Sequence, residues 1–327
     1  MERLIDADKF LDTGFDYILD CRSPREYNES HIPGSLNFYV LNNEEHHEIG
    51  HMYKNTSKPG AKKQAVIYML RNISVQLAEF NPAPGSRILV YCARGGKRST
   101  ALYTILSQLD LIVYKLKGGY KAYRKFVVEY LQNFPHKKFT VLRGNSGCGK
   151  SELIERLSPS LDLEKLANHY GSNFGFRGIQ PSQKQFENNI VATLLKIPPE
   201  DNIFIEAESR KIGSLFVPNL LAERIKNGVQ VEITAPLEQR VQRILSYYGN
   251  IKKDDFLDNL EKIKKFVSNM VYDEIKDLYE KGELEKVAEI LLVKYYDRVY
   301  KKADAGYCID NTDPDETLKK LKNLSFF

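Results

Sequence analysis

Phe139-Thr140-Val141-Leu142-Arg143-Gly144-Asn145-Ser146-Gly147-Cys148-Gly149-Lys150-Ser151 decides how the second half of this chain folds. Phe139 to Leu142 reads as a buried strand, Gly144 to Ser151 fits G-x-x-x-x-G-K-[ST] at every fixed position, and Lys150 to Leu157 reads as a helix. In that strand–loop–helix setting, the amides of Gly144, Asn145, Ser146, Gly147, Cys148 and Gly149 can wrap a di- or triphosphate. Lys150 is placed to reach the outer phosphates, and Ser151 to ligate magnesium if a metal binds. Cys148 serves as a spacer whose backbone matters, with no chemistry of its own.

A second anion loop lies upstream. The apolar strand Arg87 to Tyr91 runs into Cys92-Ala93-Arg94-Gly95-Gly96-Lys97-Arg98-Ser99, and a helix follows from Ser99 to Leu109. Inward-pointing amides, the positive end of that helix and the charges of Arg94, Lys97 and Arg98 all favour a thiolate. Cys92 is therefore the candidate nucleophile, and Arg94, Gly95, Gly96, Lys97, Arg98 and Ser99 form its anion-binding set. A chain carrying both loops is expected to handle two phosphate-bearing reactants.

Working outward, Asp16 to Asp20 and Leu111 to Leu116 read as further strands of the first part. Lys62 to Phe80 has Val66, Met69, Leu70, Ile73 and Leu77 at helical spacing, and Tyr120 to Leu131 reads as another helix. Asn133 to His136 marks the boundary. Asn202 to Glu206 and Gln230 to Thr234 are strands of the second part, and Asp255 to Lys301 is helical in pattern. The expected architecture is α/β throughout: a parallel-sheet domain over 1–134, a second α/β domain over 138–250, and a mostly helical C-terminal region over 251–327.

Glu206 and Glu208 end an apolar strand, so either carboxylate is a candidate for holding magnesium through water, Glu206 with Ser151 first, with an ordinary exposed strand end as the competing reading. Arg240 and Arg243, three residues apart on a helix, are placed as lid arginines are in small-molecule kinases, with plain surface charge as the competing reading. Asp20, Arg22 and His31 read as structural, and Cys21 as packing at a strand end.

Composition bounds the rest. The 327 residues are 42% hydrophobic and 28% charged with net charge +5, enough for two cores and compatible with a polyanionic partner. Four cysteines without metal-ligand spacing argue against zinc and for a reducing compartment, so the expected location is cytoplasmic. The opening Met1-Glu2-Arg3-Leu4-Ile5-Asp6 has no apolar run of a secretion signal, and no stretch approaches the roughly 20 apolar residues of a membrane span.

Asp20-Cys21-Arg22-Ser23-Pro24-Arg25-Glu26-Tyr27 with His31-Ile32-Pro33-Gly34-Ser35-Leu36-Asn37, the cysteine loop, and Leu116-Lys117-Gly118-Gly119-Tyr120 together resemble the rhodanese family. The loop from Cys92 to Arg98 is one residue longer than in typical sulfur-transferring members and looks like that of rhodanese-fold phosphatases. Followed by a P-loop module, the whole is similar to the tRNA 2-selenouridine synthase family. That likeness runs through Leu142 to Gly147, Leu166 to Gly175, Gln180 to Gln183, Phe186-Glu187-Asn188 and Glu208 to Gly213. Ala93 departs from it where Trp is more usual.

The resemblance implies an N-terminal rhodanese-like domain, then a P-loop NTPase-like domain, and a transferase acting on the wobble 2-thiouridine in the anticodon region of tRNA. The implied substrates are geranyl diphosphate, which alkylates the sulfur, and selenophosphate, which replaces it with selenium. No tightly bound cofactor and no obligate protein partner are expected. Asn173, Phe174, Arg177, Gln180, Arg210, Arg240 and Arg243 are candidates for substrate or tRNA contact, as are Tyr170 and Phe176 by their ring chemistry. The alternatives are a P-loop small-molecule kinase with a regulatory or sulfurtransferase rhodanese module, a phosphatase or simple sulfurtransferase, and a non-catalytic RNA-binding protein.

Overall fold

In the computed structural model, residues 2–10, 13–169, 178–207, 209–248, 253–299 and 306–324 are described. The chain divides by its contacts into two units, Met1–Asn133 with Pro181–Ala192, and Phe134–Gln180 with Thr193–Phe327.

The first unit is built on strands β1 (Leu4–Ile5), β2 (Tyr17–Asp20), β3 (Leu36–Asn37), β4 (Arg87–Tyr91) and β5 (Ile112–Leu116). They form one sheet in the order β1-β5-β4-β2-β3, parallel at every pairing. A parallel sheet covered on both faces demands apolar residues on both sides of its central strand. β4 meets that demand, with Ile88, Leu89, Val90 and Tyr91 all fully buried.

The helix expected over Lys62 to Phe80 runs Lys58–Glu79, and it faces the core differently from its apolar spacing. Met69 and Ile73 are buried, whereas Val66 and Leu70 are about half exposed, at 50% and 56%. Asn72 takes an inward position instead, because its amide donates to Val40 O at 3.2 Å and to Glu45 Oε2 at 2.6 Å. The helix Asn43–Asn55, which packs beside it, was not anticipated. Its sequence is almost wholly polar, and a capping box between Asn42 and Glu45 starts it.

The second unit contains β6 (Phe139–Arg143), β7 (Ser160–Leu161), β8 (Ile203–Glu206), the short hairpin β9 (Lys211–Ile212) and β10 (Leu215–Phe216), β11 (Val229–Thr234) and β12 (Tyr307–Asp310). Its main sheet runs β12-β11-β6-β8-β7, again parallel throughout. The C-terminal region is mainly helical over Lys253–Ile263, Asn269–Glu280 and Leu284–Leu291, as the sequence suggests. It then contributes a strand the sequence reading did not separate from that region. β12 returns to pair with β11, and the helix Pro314–Leu324 buries Leu318 and Leu321 against the glycine-loop core.

One rule serves both units. Each anion loop leaves the carboxyl end of the central strand of its sheet, β4 in the first and β6 in the second. That is where parallel sheets open a crevice for ligands. Among the described residues, no helix is long and apolar enough to cross a membrane.

Candidate functional site

The thiol loop is built by its neighbours. Cys92 is only 3% exposed, so its sulfur lies at the floor of the loop. Gly96 N–H donates to Sγ at 3.2 Å, and Ser99 Oγ lies 3.2 Å from the same sulfur. The helix Lys97–Leu106 starts at once from Gly96, which aims its positive end at the loop. Arg94 and Lys97 are exposed on the rim.

Arg98 is not a free cation of that loop. Its guanidinium donates to both oxygens of Glu26, at 2.5 and 3.2 Å. Burial pushes the Glu26 carboxyl up, but the Arg98 bond and charge outweigh burial and hold it below the usual carboxylate range. Glu26 is itself fixed by the capping box it forms with Ser23.

The closing segment forms the other wall. Tyr120 N–H donates to Cys92 O at 2.8 Å and Lys121 N–H to Ala93 O at 3.0 Å. Gly119 makes this approach feasible: at φ +59° a Cβ there would sit 2.1 Å from Cys92 O and 2.4 Å from Gly95 N. Around this frame Asp20 and Arg22 form a buried ion pair at 2.6 Å, and the Arg22 guanidinium lies 3.9 Å from the Tyr120 ring centroid. His31 stacks on Tyr27 at 4.0 Å. Cys21 is fully buried; burial, then the nearby Cys92 and Asp20, push its thiol well up, which leaves it a packing residue.

The glycine loop carries its own constellation. Gly144, at φ +138°, passes so close to β11 that a Cβ would lie 2.1 Å from Ile233 O. Lys150 Nζ donates to Gly144 O at 2.8 Å and to Asn145 O at 3.3 Å, folded over the loop's own carbonyls. Ser151 Oγ donates to Glu164 Oε2 at 3.1 Å. Glu206 ends β8, beside β6, and is 1% exposed with no hydrogen-bond partner on either oxygen among the described residues. Burial first, then the Glu164 charge, raise its carboxyl well above the usual range. No group of three or more His, Cys, Asp or Glu side chains forms a metal cage among the described residues. A phosphate-bound magnesium needs only one or two protein oxygens besides phosphate and water, and the chemistry of Ser151 with Glu206 fits that need.

Arg240 and Arg243 are not surface charges. Arg240 is 6% exposed; it donates to Ser146 O at 2.9 Å and to Asp297 at 2.5 and 3.0 Å. Arg243 donates to Gly147 O and Asn311 O, both at 3.3 Å, and lies 3.4 Å from Glu152. Both guanidinium groups therefore brace the glycine loop. Asn311, just past β12, adds a bond from its amide to Cys148 O at 2.8 Å. Burial pushes the Cys148 thiol up.

Gln180 is occupied in holding the β9–β10 hairpin: it donates to Ala167 O and Ile212 O and accepts from Ser214 N–H at 2.7 Å. Arg210 is exposed beside that hairpin. Asn173, Phe174 and Arg177, with Tyr170, Phe176 and Glu208, lie outside the described residues.

Sequence reasoning missed Glu26, Gly119, Glu164 and Asn311 as parts of these sites. For Glu26 a signal existed, since Ser23-Pro24-Arg25-Glu26 has capping-box spacing before a helix. Gly119 stands in the Gly118-Gly119 motif without its role being readable there, and Glu164 and Asn311 act through tertiary approach.

A parallel-sheet unit presenting a cysteine in an amide-lined loop, with a parallel-sheet unit presenting a Gly-Lys-Ser loop, defines a rhodanese-like domain joined to a P-loop domain. Residues 2–126 match the family model for a rhodanese-like domain, and residues 137–308 match that for the tRNA 2-selenouridine synthase AAA domain. The chain belongs to the tRNA 2-selenouridine synthase family of enzymes. It is 32% identical to the tRNA 2-selenouridine synthase of Psychromonas ingrahamii, over 73% of this chain and 67% of that protein. For the Nitrosomonas europaea protein of the same name the identity is 33%, over 71% of this chain and 63% of the relative. For the Alcanivorax borkumensis one it is 31%, over 86% and 88%.

Proposed function

We propose that this protein converts the wobble 2-thiouridine of tRNA to 2-selenouridine in two displacements. In the first, the thiouridine sulfur attacks C1 of geranyl diphosphate; the C–S bond forms, the C–O bond breaks, and diphosphate leaves with the electron pair. In the second, the selenium of selenophosphate attacks C2 of the geranylated base. The C–Se bond forms, the C–S bond breaks, geranylthiolate departs, and water cleaves the P–Se bond to release phosphate.

The observation that carries this reading is a complete glycine loop, with Lys150 folded over its carbonyls, in the same chain as a cysteine whose sulfur accepts an amide hydrogen bond from Gly96. Lys150 and the loop amides are suited to stabilising departing diphosphate, because they oppose charge as it develops on the leaving oxygen. The Cys92 loop is suited to a tetrahedral selenophosphate, with the thiol either accepting selenium or positioning it. Ser151 and Glu206 would hold magnesium, which would neutralise part of the diphosphate charge.

The test is nucleoside mass spectrometry of thiouridine-bearing tRNA incubated with each donor. Cys92→Ser is expected to bind tRNA and make S-geranyl-thiouridine but no selenouridine. Full selenation by that variant would remove the thiol from the mechanism. One observation favours a second reading, phosphoryl transfer: the buried acidic side chain of Glu206 at the end of the strand next to β6. Rapid transfer from ATP to a metabolite without tRNA would select it.

A further inference from the structure

Pro181–Ala192 follows the glycine loop in sequence yet packs with the first unit, and the helix Gln183–Leu194 grips the thiol domain at two places. Asn188 is fully buried at the centre of that grip. Its Nδ2 donates to His31 O at 2.8 Å and to the Tyr120 hydroxyl at 3.0 Å, and its Oδ1 accepts from Arg124 at 2.5 Å. Gln185 Oε1 accepts from His31 N–H at 2.7 Å, and Arg124 also reaches Glu187 at 2.5 Å.

Both gripped residues lead to the nucleophile. Tyr120 is the residue whose N–H holds Cys92 O. Ile32, the neighbour of His31, donates from its N–H to the hydroxyl of Tyr91, the residue before Cys92, at 3.2 Å. A buried carboxamide with every one of these bonds made fixes geometry because each lost partner would strand a desolvated group.

We propose that Asn188 is a positioning residue of the thiol site. It sets the walls of an anion cup from a helix that the rhodanese-like segment itself does not supply. This rests on reading the Cys92 loop as an oxyanion cup.

The test uses the full-length protein, with tungstate as a tetrahedral oxyanion probe. Protection of Cys92 from iodoacetamide is read by peptide mass spectrometry, with the exposed Cys308 as internal control. Asn188→Ala is expected to raise the half-protecting tungstate concentration about fivefold, the size of one net hydrogen bond. Tyr120→Phe, which removes only the hydroxyl, should do the same, and the double variant should be no worse than Asn188→Ala. Lower urea resistance in Asn188→Ala with unchanged tungstate protection would mean a merely structural helix contact and overturn the proposal. If Asn188→Ala does not fold, unchanged protection in Tyr120→Phe overturns it equally. A parent protein that tungstate never protects would instead sink the anion-cup reading itself, and this proposal with it.

Discussion

Replacing Gly119 by Ala should damage this protein far more than one added methyl ordinarily does. Two costs arise. The first is backbone strain: φ is +59°, and a non-glycine residue there costs about 1 kcal/mol. The second is steric, since the new Cβ would stand 2.1 Å from Cys92 O, 1.3 Å short of the 3.4 Å at which ordinary contact begins. The obstructing atoms are backbone, so no side chain can swing aside. The closing segment must back away, breaking Tyr120 N–H to Cys92 O and Lys121 N–H to Ala93 O. Each lost bond costs about 1 kcal/mol, which brings the total to roughly 3 kcal/mol. Gly34 provides the control: its φ is +81°, but a Cβ there meets nothing within 4 Å, so Gly34→Ala should cost only the strain, about 1 kcal/mol. The assay is urea-dependent alkylation of Cys21, which is buried in the first unit and reports its opening. Gly119→Ala should open at clearly lower urea than Gly34→Ala and should lose tungstate protection of Cys92. Equal midpoints for the two variants would refute the close-approach argument.

Lys150→Ala should lower geranyl transfer by about a hundredfold or more, as loss of a preorganised charge at a leaving group does. Addition of selenophosphate to pre-geranylated tRNA should change little, and the assay is nucleoside mass spectrometry after each half-reaction; unaltered geranylation would reverse the assignment of the two loops. Glu206 gives a pH test: its folded-state carboxyl is raised by burial and by Glu164, so its contribution to stability is intact below the ordinary carboxylate range and declines as pH rises above it. Glu206→Gln should therefore be more stable than the parent at pH 8 and nearly equal to it at pH 4, measured by urea unfolding; identical pH dependences would contradict the buried carboxyl. Arg240→Ala leaves Asp297, whose side chain is 27% exposed, without its partner and unties Ser146, for a cost of about 2 kcal/mol and weaker diphosphate binding by calorimetry. Full affinity in that variant would remove the brace role.

The parts of the molecule that the sequence discloses are those governed by local rules. β4 and β6 are legible because a strand buried on both faces in a parallel sheet is mostly apolar, and glycine-rich turns follow each without interruption. The reading of Cys92 and Lys150 as candidate site residues comes from the same short stretches. What escapes is settled between distant segments. Val66 and Leu70 keep perfect helical spacing but point away from the core, because Asn72 satisfies its amide on Val40 and Glu45 and takes the inward arc. Arg98 counts as loop charge until Glu26, 72 residues earlier, claims it. Arg240 and Arg243 look like solvated charge on an amphipathic helix, and only the return of β12, with Asn311 behind it, shows that the glycine loop sits among them.

This division has a functional consequence. Charge that is read from sequence as available to ligands is largely already spent inside the fold: Arg98 on Glu26, Arg240 on Asp297, Arg243 on loop carbonyls and Glu152. A cation paired in this way holds geometry, whereas an unpaired one attracts a ligand. In the thiol loop the Gly96 amide is engaged on the Cys92 sulfur and the buried Ser99 hydroxyl on Gly96 O, so the charges that remain to meet anions are those of Arg94 and Lys97, exposed at the rim. Substitution of Arg94 or Lys97 should therefore change the salt dependence of anion capture by Cys92 while leaving stability within about 0.5 kcal/mol, since exposed charges contribute little to folding. Substitution of Arg98 should do the reverse, because it releases a half-buried Glu26 beside the thiol. Measuring tungstate protection against ionic strength for the three variants separates the two roles, and matching salt slopes in all three would show that Arg98 leaves Glu26 to bind the anion.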